Sequence, residues 1–105
     1  MEHAHEFEIR DDGTDRYGDL RMRIEGTVNG THYRVDLDAG YECGEVDMGY
    51  GVPSGIADDL RAELAPLRPE LPDDDYRAFA HAIYRDAKEY ASDYFRESSR
   101  RYTPN

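Results

Sequence analysis

The sequence contains few of the residues that build covalent or metal-bound frameworks. Cys43 is its only cysteine, and tryptophan is absent. A single cysteine excludes an intrachain disulfide, and it argues against a disulfide scaffold or a zinc site built from several thiolates. The N-terminal segment lacks the basic and apolar stretches of a secretory signal, and no run approaches the about 18 apolar residues that a membrane span needs. We therefore expect a cytoplasmic protein with no membrane association.

Positive charge is also scarce. The chain has 24 Asp and Glu against 13 Lys and Arg, with Lys88 as the only lysine, and its formal net charge is −11. A field of this sign repels phosphate backbones and anionic lipids, whereas it attracts basic protein surfaces and cations. We expect no direct binding of nucleic acid. An Arg- and Asp-rich composition also resembles proteins of GC-rich genomes and of salt-adapted cells.

Large aliphatic side chains are few, since Leu, Ile, Val and Phe together number 17. At this net charge such a count brings disorder into consideration. Nine tyrosines supply further apolar area, and the regular spacing of apolar residues described below favours a folded chain. A length of 105 residues suits one domain, so we expect a single domain over residues 1–105 with a thin, Tyr-rich core and a frayed tail at 103–105.

The clearest structural signal is a β-hairpin around Asn29-Gly30, the dipeptide typical of a two-residue type I′ turn. Pairing outward from this turn places alternate apolar residues of both strands on one face, with Tyr33 over the gap left by Gly26. The same register sets three opposite-charge pairs on the other face. These pairs are Glu25 with Arg34, Arg23 with Asp36, and Arg21 with Asp38.

Alternating segments predict strands near 5–10, 19–28 and 31–39, with the acidic segment 11–15 as the first turn. The Gly-rich segment 40–53 fits either an irregular fourth strand near 41–46 or an exposed loop, and we favour the strand.

The sequence pattern predicts two helices after the strands. Ser54 is a candidate N-cap for a short helix over 55–65, which Pro66 and Pro69 end. Three aspartates open a long helix over 74–100, where their charge complements the helix dipole. The sequence therefore predicts an α+β fold, in which an antiparallel meander of three or four strands has one face covered by both helices.

Candidate catalytic and metal-binding residues are weak. His3 and His5 would share one side of a strand, but terminal residues are mobile and His5 continues an apolar stripe. We interpret His32 as a solvated surface residue and His81 as a partly buried, hydrogen-bonded one. Cys43 has no basic neighbour in the sequence that would favour a thiolate. We expect no metal, no cofactor and no catalytic constellation, hence a protein that is not an enzyme.

The acidic excess is unevenly distributed along the chain. Net charge is −5 over 1–15, zero over 16–39, −3 over 40–53, −5 over 54–75 and +2 over 76–105. A coat that served only solvation would spread over the last segment as well. This distribution favours a protein-binding module that offers carboxylates to a basic partner surface, one form being an inhibitor or nucleic-acid mimic acting on a nucleic-acid-handling protein.

The predicted partner-binding residues lie between 42 and 75. They are Glu42, Glu45, Asp47, Asp58, Asp59, Glu63, Glu70, Asp73, Asp74 and Asp75. Tyr90, Tyr94 and Phe95, toward the end of the long helix, are a candidate surface for a homodimer. The alternatives are an acidic housekeeping domain of a salt-adapted or GC-rich organism without a specific acidic interface, and a small metal-dependent enzyme.

Overall fold

The computed structural model describes residues 6–49 and 51–102, and it describes side chains as far as residue 98. Four strands and two helices follow one another along the chain. They are β1 (Phe7–Thr14), β2 (Leu20–Val28), β3 (Thr31–Glu42), β4 (Glu45–Asp47), α1 (Val52–Leu64) and α2 (Asp73–Tyr102). The strands form one antiparallel meander in the order β1-β2-β3-β4, and both helices pack on it. The predicted α+β architecture is confirmed.

The β2–β3 hairpin has the predicted register from Leu20 opposite Ala39 to Val28 opposite Thr31. Its turn residues have positive φ angles, 50° for Asn29 and 84° for Gly30, as a type I′ turn requires. Tyr33 lies over Gly26, because a β-carbon added to this glycine would stand 2.7 Å from the Tyr33 hydroxyl oxygen. The ring thus fills the space that the missing side chain leaves in the sheet.

The charged face of the hairpin differs in detail from its prediction. The three expected pairs face one another across the strands, but the arginine ion pairs of the described residues on this face run along a strand or to β1. Arg34 contacts Asp36 at 3.3 Å, and Arg23 contacts Asp12 at 3.7 Å. Long arginine side chains reach a carboxylate diagonally across the strands as easily as one directly opposite. Strand register alone therefore does not determine which carboxylate each arginine contacts.

β1 extends further than predicted, because 11–14 continue the strand instead of forming a turn. The register shifts between Asp11 and Thr14 as in a β-bulge, and the left-handed φ of 79° at Gly13 accommodates the extra residue. The turn lies at Asp15–Asp19 instead. The Asp15 carboxylate accepts hydrogen bonds there from the backbone N–H groups of Tyr17 and Asp19, at 2.9 and 3.0 Å.

The segment predicted as an irregular strand near 41–46 is a second hairpin. β3 runs on to Glu42, and a two-residue turn at Cys43-Gly44, with φ angles of 54° and 80°, returns the chain into β4. Cys43 is an uncommon residue for this conformation, which explains why the turn is not evident from the sequence.

α1 begins three residues before the predicted start. Its N-cap is Gly51, which has a φ of 73° and no side chain to cap with, and Ser54 lies inside the first turn. Pro53 suits this turn because its fixed φ is helical and its missing N–H would be unpaired there in any case. α2 matches its prediction to within two residues at each end, with three aspartates in its first turn.

A single hydrophobic core lies between the sheet and the helices. Its largest fully buried side chains are Tyr33, Leu20, Met22, Ile24, Ile56, Leu60, Leu64, Ile83 and Val35. α2 turns the small side chains of Ala80, Ala87 and Ala91 into this core, which lets helix and sheet approach closely. No described helix is long and apolar enough to cross a membrane.

Candidate functional site

The structure divides the ten predicted carboxylates between two places. Glu42, Glu45 and Asp47 belong to the β3–β4 hairpin, and the other seven belong to α1, to the linker after it and to the first turn of α2. Nine of the ten are exposed, and Asp75 is partly buried. The predicted face is thus accessible, but its members differ in whether the chain itself neutralises them.

Arg61 neutralises part of the helical group. Its guanidinium group donates to Asp58 within α1 at 3.2 Å and to Asp73 at the start of α2 at 3.3 Å. The same group lies over the Tyr76 ring, 5.2 Å from its centroid. Arg61 therefore links the two helices through their carboxylates, and it removes two of the predicted residues from the set that is available to a partner.

Arg68 neutralises a carboxylate in the linker between α1 and α2 in the same way. Its Nε–H donates to Glu70 at 2.8 Å. The pKa of Glu70 is lowered, chiefly by a backbone hydrogen bond within this residue and then by Arg68. The Glu70 carboxylate is thus already engaged in interactions within the linker.

Six of the predicted residues make no ion pair with the described part of the chain, namely Asp47 in β4, Asp74 in the first turn of α2 and four others. Glu42 and Glu45 lie on the hairpin, and Asp59 and Glu63 lie on α1. Helix geometry separates the last two from Asp58 and Arg61, because residues are about 100° apart around the axis and Asp59 and Glu63 fall on the opposite flank. Residues 35–60 contain seven Asp and Glu but no Lys, Arg or His, so Glu42 and Glu45 have no cation nearby in the sequence.

Glu42 and Glu45 are direct cross-strand partners in the β3–β4 hairpin. Partners of this kind have β-carbons about 5 Å apart on the same face of the sheet, and like charges in these positions destabilise the pairing. Asp47, at the end of β4, has a local role, because it accepts a hydrogen bond from the Gly49 N–H at 2.9 Å. The hairpin thus carries an exposed pair of carboxylates at a local cost in stability.

The candidate dimer surface is largely covered by the chain itself. Phe95 is 8% exposed and stacks on Tyr41 of β3, with ring centroids 5.0 Å apart. Tyr94 meets Phe95 edge to face, and the Tyr90 hydroxyl donates to Asp11 on β1. Homodimer formation through these residues stays a prediction, to which Phe95 can contribute little accessible area.

The histidines do not come together into a metal site in the described part of the chain. His3 and His5 lie outside the described residues. His32 is exposed, as predicted, with its Nε2 atom 3.9 Å from Glu25. The prediction for His81 is wrong, because its ring is exposed on α2. No group of three or more possible metal ligands occurs among the described residues.

Two structurally important side chains have no clear signal in the sequence. Arg61 is one of only two cations in the acidic segment 54–75, which could have indicated a bridging role, but the partner on α2 depends on how the helices pack. Asp11 looks like one member of a charged turn, but β1 continues through it and places it on the same face as Phe7 and Ile9, where it meets Tyr90.

Comparisons with protein-family models, with curated proteins and with solved structures found no match for this chain. Its function therefore has to be inferred from its own geometry and charge.

Proposed function

We propose that this protein is a non-enzymatic, cytoplasmic protein-binding module that presents carboxylates to a basic surface of its partner. The partner we favour is a nucleic-acid-handling protein, whose basic groove the module would occupy in place of the nucleic acid. The observation that carries this proposal is the exposed Glu42–Glu45 pair, which no cation of the described chain neutralises.

The Glu42–Glu45 pair is suited to bind one guanidinium group. Two carboxylates on adjacent strands can accept several N–H bonds from a single arginine, and such charge-assisted bonds are stronger than neutral ones. Binding of a guanidinium group would also offset the repulsion between Glu42 and Glu45. The destabilisation of the hairpin by this repulsion would therefore be absent in the complex. Asp59 and Glu63 would extend the acidic surface along α1.

The remaining net charge would act mainly on the rate of association. Carboxylates on an exposed surface steer a basic partner toward the complex, and salt weakens this steering because the Debye length falls to about 10 Å at 0.1 M. The proposal thus requires a complex whose affinity falls as salt is raised.

A pair of matched double variants tests it. Glu42→Gln with Glu45→Gln removes two charges from the hairpin, whereas Glu89→Gln with Glu97→Gln removes two from exposed sites on α2. Basic nucleic-acid-handling proteins captured from the host by the unmodified chain would be measured against both variants at low and high salt. We expect a loss of affinity of about tenfold or more in the hairpin variant alone.

Two results would contradict the proposal. Equal losses in both variants would indicate a diffuse field without a specific acidic face. The absence of any salt-sensitive complex would instead favour an acidic housekeeping domain, whose stability should rise with molar salt as self-repulsion is screened.

A further inference from the structure

A groove of about 400 Å³ lies between α1 and α2, and its chemistry is opposite to that of the protein as a whole. Ser54, Asp58 and Arg61 line it from α1, and Arg77 and His81 line it from α2. Although the chain has nearly two acids for each cation, the groove holds two guanidinium groups and an imidazole against one carboxylate. That carboxylate, Asp58, is already paired with Arg61.

The two arginines contribute in different ways. Arg61 is held in position by Asp58, by Asp73 and by the Tyr76 ring, and it keeps N–H groups beyond the two that these carboxylates use. Arg77 makes no ion pair or side-chain hydrogen bond with the described part of the chain, so all its donors are available. One wall therefore provides a fixed cation, and the other provides a free one.

On the C-terminal side of Arg77, one side of α2 carries an imidazole and two further cations. His81 follows Arg77 at the i+4 position of α2, and Arg85 and Lys88 come next on neighbouring turns, so these side chains lie along one side of the helix. The acidic residues Asp86, Glu89 and Asp93 fall on the other side of its exposed face. From Arg77 onward α2 is thus divided lengthwise by charge, and its cationic side borders the groove. Asp73 and Asp74 lie one turn before Arg77 on this side, and Asp73 is already paired with Arg61.

We propose that this groove binds the phosphate group of a small phosphate monoester. A tetrahedral dianion accepts hydrogen bonds from several directions, which matches donors that stand on both walls, whereas one arginine alone would satisfy a planar carboxylate. The volume exceeds that of a phosphate ion, so there is room for the organic part of the ester. This site is separate from the Glu42–Glu45 pair, and either can fail without the other.

Titration of the full chain with phenyl phosphate, followed by NMR of the backbone amides, tests this assignment. We expect saturable shifts that centre on α1 and α2 around Ser54 and Arg77, and none with phenol. Arg77→Gln should weaken binding about tenfold or more, because it removes a charge-assisted contact. Arg96→Gln is the control, since it makes the same change in net charge near the far end of α2, outside the groove.

Three results would overturn the assignment. They are the absence of saturable shifts, equal weakening by the Arg77 and Arg96 substitutions, and equal binding of phenol. Circular dichroism of each variant would confirm that it folds. His81→Gln is a second variant on the same wall, and it should also weaken binding while leaving the fold intact.

Discussion

The hydroxyl group of Tyr90 donates a hydrogen bond to the Asp11 carboxylate, which joins α2 to the bulged edge strand β1 across 79 residues of sequence. Asp11 also accepts a bond from the Gly13 N–H at 3.1 Å, inside the bulge. The carboxylate thus orders its own strand and anchors the helix. Because β1 has a hydrogen-bonded neighbour on one side only, this contact is important for holding the edge of the sheet against α2.

Tyr90→Phe should lower the free energy of unfolding by about 1 kcal/mol at neutral pH, since it leaves the ring in place and removes one partly exposed hydrogen bond. Urea denaturation would measure the change. Tyr94→Phe is the control, because the Tyr94 hydroxyl group makes no side-chain hydrogen bond with the described residues, and it should change stability by less than half as much. Equal effects would show that the bond to Asp11 contributes nothing specific.

The same bond predicts a loss of stability at alkaline pH. Hydrogen bonding to Asp11, followed by burial, raises the pKa of Tyr90 from 10.0 to about 12, and burial raises the pKa of Tyr33 to about 12 as well. A raised folded-state pKa means that the stabilisation is complete below about pH 10 and is lost as pH rises through about 12. Urea unfolding at pH 8 to 11.5 should show this decline, and Tyr90→Phe should make it shallower.

Tyr33→Phe should leave the free energy of unfolding unchanged or raise it. The Tyr33 side chain is 1% exposed, and its buried hydroxyl group has no hydrogen-bond partner among the described residues. An unpaired buried hydroxyl costs about 1 to 3 kcal/mol, so its removal should offset the small void that it leaves. Thermal and urea denaturation would measure this. A marked loss of stability would mean that the hydroxyl group has a partner, such as a buried water.

Gly26→Ala should destabilise the protein by about 1 to 3 kcal/mol, because the new β-carbon would stand 2.7 Å from both the Glu6 carbonyl oxygen and the Tyr33 hydroxyl oxygen. Gly55→Ala provides a matched comparison within α1. A β-carbon at Gly55 meets nothing within 4 Å, so this change should stabilise by about 0.5 to 1 kcal/mol. Urea denaturation of the two variants should give opposite signs.

Glu42→Arg should separate stability from function. Replacing one member of the Glu42–Glu45 pair with a cation turns repulsion into attraction, which should raise the free energy of unfolding by about 0.5 kcal/mol. The same change should abolish binding to a basic partner under the proposed function. Glu89→Arg on α2 makes the same change in net charge and should leave binding intact. If Glu42→Arg bound the partner normally, the hairpin would not be the binding face.

Local chemistry explains how much of the fold is evident from the sequence. Asn29-Gly30 sets the register of β2 and β3 because a two-residue turn allows only one pairing that buries the apolar stripe. Three aspartates and a stripe of apolar residues define α2 in the same way. The sequence predicts the fourth strand but not the position of the β3–β4 turn, because this turn uses Cys43 in a left-handed conformation that residue preferences do not indicate.

The sequence by itself determined the order and type of the main elements, the register of the central hairpin and the segments that hold the acidic excess. All of these depend on residues close together in the chain. Only the tertiary structure decided that Asp73 is paired, because the packing of α1 against α2 brings it to Arg61, whereas Asp58 and Glu70 pair with arginines two or three residues away in the chain. An ion pair between distant residues depends on where the folded backbone places them, and charge counting cannot supply that position.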